Sequence, residues 1–167
     1  MIKIIFSSCL SAIAVLFLQF FMAGVSLPIN LALILVIFWS LSYKIWEILP
    51  AVILLGKGWD SFFGISVENL IVFLLVTICV WLLAKHLSLS DPLTPAIIIF
   101  SGLLLNVLFY FLSVEIFSWF GDFVFSPLGH FSFSFYLSYL LLNFFLTYGL
   151  FRLFCYRKIK HNYGSRV

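Results

Sequence analysis

The sequence predicts an all-α fold, a polytopic membrane bundle of about six transmembrane helices with the N- and C-termini cytoplasmic. Three observations lead there. Hydrophobic residues make up 65% of the 167 positions and charged ones 9%, against about 25% charged in an ordinary soluble domain; mean hydropathy is +1.25. The apolar residues run in long unbroken stretches, not in the roughly ten-residue alternating segments of a membrane barrel. At roughly 20 residues per crossing, residues 1–167 hold about six spans with short connections, a single transmembrane domain without a soluble part. Twenty-two Phe are at home on lipid-facing helix surfaces, with Trp and Tyr at the interfaces.

The first span is expected over residues 4–25. Lys3 before it gives the look of a signal peptide, but the apolar run exceeds the roughly 7–15 residues of a cleavable core, so it reads as an uncleaved helix. The second, 28–43, is short for a bilayer and opens on Pro28, tolerated in a first turn because its missing N–H has no partner there. The third, 45–63, passes through Pro50 and is interrupted by Gly56, Lys57, Gly58 and Asp60. The fourth, 67–84, starts with Glu68 at the positive end of the helix dipole. The fifth, 94–117, is long enough to tilt. Gly121, Asp122, Pro127 and Gly129 mark a loop, the sixth span covers 133–154, and a basic tail occupies 155–167.

Counting Lys and Arg tests the topology, because short cytoplasmic loops collect positive charge. With six spans and the N-terminus inside, Lys3, Lys44, Lys85, Arg152, Arg157, Lys158, Lys160 and Arg166 all fall inside, and of the nine basic residues Lys57 alone falls outside. Merging the second and third runs into a re-entrant hairpin would leave Lys44 at depth. The tail's Arg157–His161 stretch reads as an orientation anchor that also suits anionic membrane lipid. No nucleic-acid partner is expected.

Motifs for chemistry are sparse. Cys9, Cys79 and Cys155 lie in separate runs without CxxC spacing, and His86, His130 and His161 do not pair at i, i+4 as a helical zinc site requires. No metal, no cofactor and no catalytic residue is expected.

Polar residues at membrane depth carry the remaining information, since an Asp at a helix centre costs about 2.5–3.5 kcal/mol on insertion scales. Gly56, Asp60 and Gly64 share one face of the third helix at four-residue spacing, a stripe that admits a close neighbouring backbone. Asp60 has two readings: a buried carboxylate that binds something or locks two helices, or a solvated group near the outer interface one turn from Lys57. A second seam on the fifth helix runs through Gly102, Asn106, Phe109 and Ser113, with Asn69 and Thr77 on the fourth and Asn143 and Thr147 on the sixth as comparable stripes. Interhelical hydrogen bonds of this kind average about 0.6 kcal/mol, which suits bundle packing. Glu47 is expected to pair with Lys44 across one turn, and Glu115 to lie near the outer surface.

Ile37-Phe38-Trp39, then Gly56-Lys57-Gly58-Trp59-Asp60-Ser61-Phe62-Phe63-Gly64, then an apolar helix ending in Lys85 and His86, resemble the MreD family of bacterial rod-shape-determining proteins, from about residue 28 to 110. That family typically shows G-x-x-x-D-x-x-x-G at the end of its third span and a short basic tail. The resemblance implies a non-enzymatic component of the cell-elongation machinery in the inner membrane, supporting cell shape and peptidoglycan synthesis. Its implied partners are the periplasmic scaffold MreC and, through the complex, MreB, RodA and a class B penicillin-binding protein. Gly56, Asp60 and Gly64 would then shape the bundle or its MreC-facing surface.

Two other classes stay open. The family's six-helix architecture is similar to that of the substrate-binding S-components of vitamin transporters; Asp60, Glu68, Asn69, Trp119 and Asp122 are the groups available for such a pocket. An intramembrane aspartyl peptidase needs two carboxylates that meet; Asp60 and Asp122 both approach the outer surface, whereas Asp91 belongs to the opposite loop. Ser101 and Ser138 have no histidine at their depth.

Overall fold

The computed structural model describes residues 2–22, 29–63, 68–87, 89, 91, 93–119 and 133–156. These form six helices and no strand: α1 (Ile2–Met22), α2 (Leu31–Ser42), α3 (Ile45–Phe63), α4 (Glu68–His86), α5 (Leu93–Trp119) and α6 (Phe133–Phe151), the last continuing into one π-helical turn, Arg152–Tyr156. The stretches Ile2–Phe21, Asn69–His86 and Tyr136–Phe154 are long and apolar enough to cross a membrane. Helix α3 has the length but carries Glu47, Lys57 and Asp60. Pro28, Gly64, the expected loop with Gly121, Asp122, Pro127, Gly129 and His130, and the tail from Arg157 lie outside the described residues.

Local chemistry sets the helix ends. Helix α2 begins at Leu31, three residues later than expected, because Asn30 is its cap: Asn30 Oδ1 accepts from the Leu33 N–H at 2.9 Å, which satisfies one of the amides a helix start leaves without a partner. It ends where Tyr43 turns extended (φ −132°, ψ 166°). At the start of α3, Glu47 reaches back to accept from the Lys44 backbone N–H at 3.2 Å, one half of a capping box; the expected link between these residues runs through the main chain. Pro50 removes one α3 ladder bond. Asp91 accepts from the Leu93 N–H at 3.0 Å where α5 begins. Lys85 and His86 close α4, at the end where the dipole favours cations, with the Lys85 ammonium 5.3 Å from the centre of the Trp81 ring.

At 1.5 Å per residue, the 12 residues of α2 span about 18 Å, well short of the roughly 30 Å of a hydrocarbon core. It is nevertheless the centre of the molecule: α2 touches α1, α3, α4, α5 and α6. Ala32, Leu33, Val36 and Ile37 pack with Ile48, Val52 and Leu55 of α3, Val72, Phe73, Val76 and Val80 of α4, and Ile98, Ile99 and Leu103 of α5. Helix α1 lies against α3 and α2 and presents Phe6, Leu10, Phe17 and Phe21 outward. Ile53, Leu75, Ile97, Leu108 and Phe145 face out from other helices; a water-soluble chain rarely exposes apolar surface on this scale. In lipid, the outward side chains gain nothing by being buried, so cohesion rests on close packing and hydrogen bonds between helices.

Candidate functional site: two capped helix starts

The α3–α4 junction is built from Gly56 and Asp60, one turn apart. A methyl group at Gly56 would sit 2.5 Å from the Leu70 Cα, and backbone cannot yield as a side-chain tip can, so a residue without Cβ is needed for this approach. The close contact brings the start of α4 over Asp60, which is 1% exposed. Its Oδ1 accepts from the Asn69 backbone N–H at 2.9 Å and from Asn69 Nδ2 at 3.0 Å, and its Oδ2 accepts from the Leu70 N–H at 3.1 Å. The carboxylate of one helix thus caps the next, meeting both the unpartnered amides of the first turn and the positive end of the dipole. Across the same junction the Trp59 and Phe73 rings meet edge to face at 6.3 Å.

Of the two readings of Asp60, the solvated one is ruled out by this burial, and the carboxylate is occupied by its own chain. Asn69, placed by sequence in a packing stripe, is its partner. Among the residues whose side-chain burial is described, Asp60 is the one buried carboxylate.

A second capped start lies at α2. The Asn30 N–H donates to Asn143 Oδ1 of α6 at 2.9 Å. From α1, Gln19 Oε1 accepts from the Leu31 N–H at 2.8 Å while its Nε2 donates to the Ile29 carbonyl at 3.0 Å. Asn143 Nδ2 donates to the Tyr139 carbonyl at 2.7 Å, and Asn106 Nδ2 of α5 donates to the Tyr139 hydroxyl at 3.2 Å. Side chains of α1, α5 and α6 therefore converge on the entry to the central helix. Asn143 is fully buried and falls mid-way along α6, so the short central helix starts at the depth of that helix's middle. Gly102 belongs to a different contact: a methyl there would meet Val80 Cγ2 at 2.8 Å and Ile37 Cδ1 at 3.3 Å, so it seats α5 against α4 and α2. Thr77 and Thr147 donate to the carbonyls of Phe73 and Asn143 within their own helices, both at 2.7 Å.

The sequence stripes omitted Gln19, Asn30 and Tyr139. Asn30 carried a usable signal, an Asn directly ahead of an apolar run; Gln19 and Tyr139 carried none. Of the groups available for a carrier pocket, Asp60 and Asn69 bind each other, and the side chains of Glu68, Trp119 and Asp122 lie outside the described residues, as does the second carboxylate of a peptidase pair. No group of three His, Cys, Asp or Glu that would hold a metal ion occurs among the described residues. Cys9 and Cys79 are free thiols on separate helices.

No family model, curated protein or solved structure matches the chain.

Proposed function

We propose that this chain is a non-enzymatic, multi-pass component of the bacterial inner membrane, acting like the MreD family in the cell-elongation complex and presenting a rigid helical surface to an MreC-like periplasmic scaffold. The observation that carries this reading is the Asp60 cap. A buried carboxylate is costly at membrane depth, and here both its oxygens serve the α3–α4 junction, as a part of a packing device rather than as a general acid or a ligand. The G-x-x-x-D spacing from Gly56 to Asp60, the basic residues gathered at one side under a six-span topology, and polar groups satisfied by neighbouring helices agree with it. Both chain ends are then cytoplasmic, and the α3–α4 junction lies toward the periplasm.

The test is capture of the full chain by a periplasmic coiled-coil scaffold, comparing wild type, Asp60→Ala and Gln19→Leu. The last loosens the other capped start. Weakened capture by Asp60→Ala with near-normal capture by Gln19→Leu supports the reading; equal capture by all three, with loss of solute uptake in Asp60→Ala, overturns it in favour of a carrier.

A further inference from the structure

A cavity of about 170 Å³ opens between the first turns of α1 and the C-terminal end of α2, lined by Lys3, Ser7, Ser8, Trp39 and Tyr43. At about 30 Å³ per water in the liquid, that is room for roughly five waters or one compact polar group.

Its lining mixes apolar surface, Ile4 among it, with several hydrogen-bond donors. Ser8 and Trp39 are each 4% exposed, yet neither the Ser8 hydroxyl nor the Trp39 indole N–H has a hydrogen-bond partner among the described residues. Other hydroxyls of the bundle settle this internally: Ser40, Ser42, Ser61 and Thr77 each donate to the carbonyl four residues earlier at 2.7–2.8 Å, although not every serine does so. Ser8 makes no such bond, and the Ser7 and Ser8 carbonyls are taken by Ser11 Oγ at 2.9 and 3.0 Å. Buried donors left this way cost about 1–3 kcal/mol each, so a bound acceptor would recover energy. The Lys3 ammonium and the positive end of the α1 dipole favour a negative one. The end of α2 opposes this with its own dipole, an effect reduced where the Tyr43 N–H closes on the Trp39 carbonyl at 2.9 Å. No carboxylate lines the cavity.

We propose that this cavity is a binding site for a phosphoryl anion, held by the Lys3 ammonium, the Ser8 hydroxyl and the Trp39 indole N–H. In a bilayer the source is the headgroup of an anionic phospholipid; free phosphate is the other source with the same chemistry. Lys3, Trp39 and Tyr43 are the residue types that gather at headgroup level.

The experiment uses the full chain in maltoside micelles, which contain no phosphorus. Phosphatidylglycerol and inorganic phosphate are titrated separately, the indole N–H resonance of Trp39 is followed after assignment with Trp39→Phe, and lipid retention is read by native mass spectrometry. The expected result is a saturable downfield shift of that resonance and one retained phosphatidylglycerol, with binding about tenfold to a hundredfold weaker in Lys3→Gln/Ser8→Ala, the loss of about one or two charge-assisted hydrogen bonds. Both substitutions are small and leave the helix ladder intact, and unchanged far-UV circular dichroism checks the fold. A shift with phosphatidylglycerol alone assigns a lipid; a shift with phosphate to the same end point assigns the free anion. No shift with either, or equal retention by the double variant, overturns the proposal.

Discussion

Replacing Asp60 with Ala removes the acceptor for three donors at once: the backbone N–H groups of Asn69 and Leu70 and the Asn69 side-chain amide. A lost cap typically costs about 1 kcal/mol, a buried amide left without a partner about 1–3 kcal/mol, and a carboxylate at a partly buried helix start up to about 2 kcal/mol. These overlap, because the same N–H groups are counted in each, so the expected loss is about 2–4 kcal/mol, or roughly 30-fold to 1,000-fold in the folding constant. Asp60→Asn should fall between: one oxygen still accepts from Asn69, while the new amide turns a donor toward the Leu70 N–H. The assay is reversible unfolding in mixed micelles with rising dodecyl sulfate, followed by far-UV circular dichroism. Amide exchange adds the location: faster exchange at Leu70 in Asp60→Ala, with Leu140 of α6 unchanged. An Asp60→Ala protein within about 0.5 kcal/mol of wild type would refute the reasoning, since three donors would have lost their acceptor at almost no cost.

Gly56→Ala should destabilise by about 1–3 kcal/mol, because its methyl meets the Leu70 backbone at 2.5 Å, whereas Gly149→Ala, with nothing within 4 Å, should be neutral or stabilise by up to about 1 kcal/mol; the same unfolding assay separates them. Asn143→Leu strands the Asn30 N–H and should cost about 1–2 kcal/mol, read by unfolding and by faster exchange at Asn30. Gln19→Leu frees both the Ile29 carbonyl and the Leu31 N–H; it should loosen the α1–α2 corner by a similar amount while leaving Leu70 exchange at its wild-type rate.

The helices were legible because continuous apolar runs admit one solution in lipid, and their ends mostly fell within a few residues of the expected bounds. Helix α2 is instructive: a proline near an apolar run is a start signal, but the cap observed is Asn30, a residue type equally able to announce a helix. The spacing of Gly56 and Asp60 places both on one face, yet it does not give the burial of Asp60 or its partner. That required knowing that α4 folds back so closely that its first amides lie over the carboxylate. Gln19 and Asn143 act through backbone groups, and a backbone amide looks alike at every position of a sequence. Such contacts emerge only once three helices have been assembled around α2.

The most direct test of the internal cap is a solid-state NMR measurement in bilayers of the dipolar coupling between the Asp60 carboxyl carbon and the amide nitrogens of Asn69 and Leu70. Weak but measurable couplings to both, as oxygens 2.9 and 3.1 Å from those nitrogens imply, are the expected result. A carboxyl carbon with no coupling to either nitrogen, in contact with exchanging water, would contradict it.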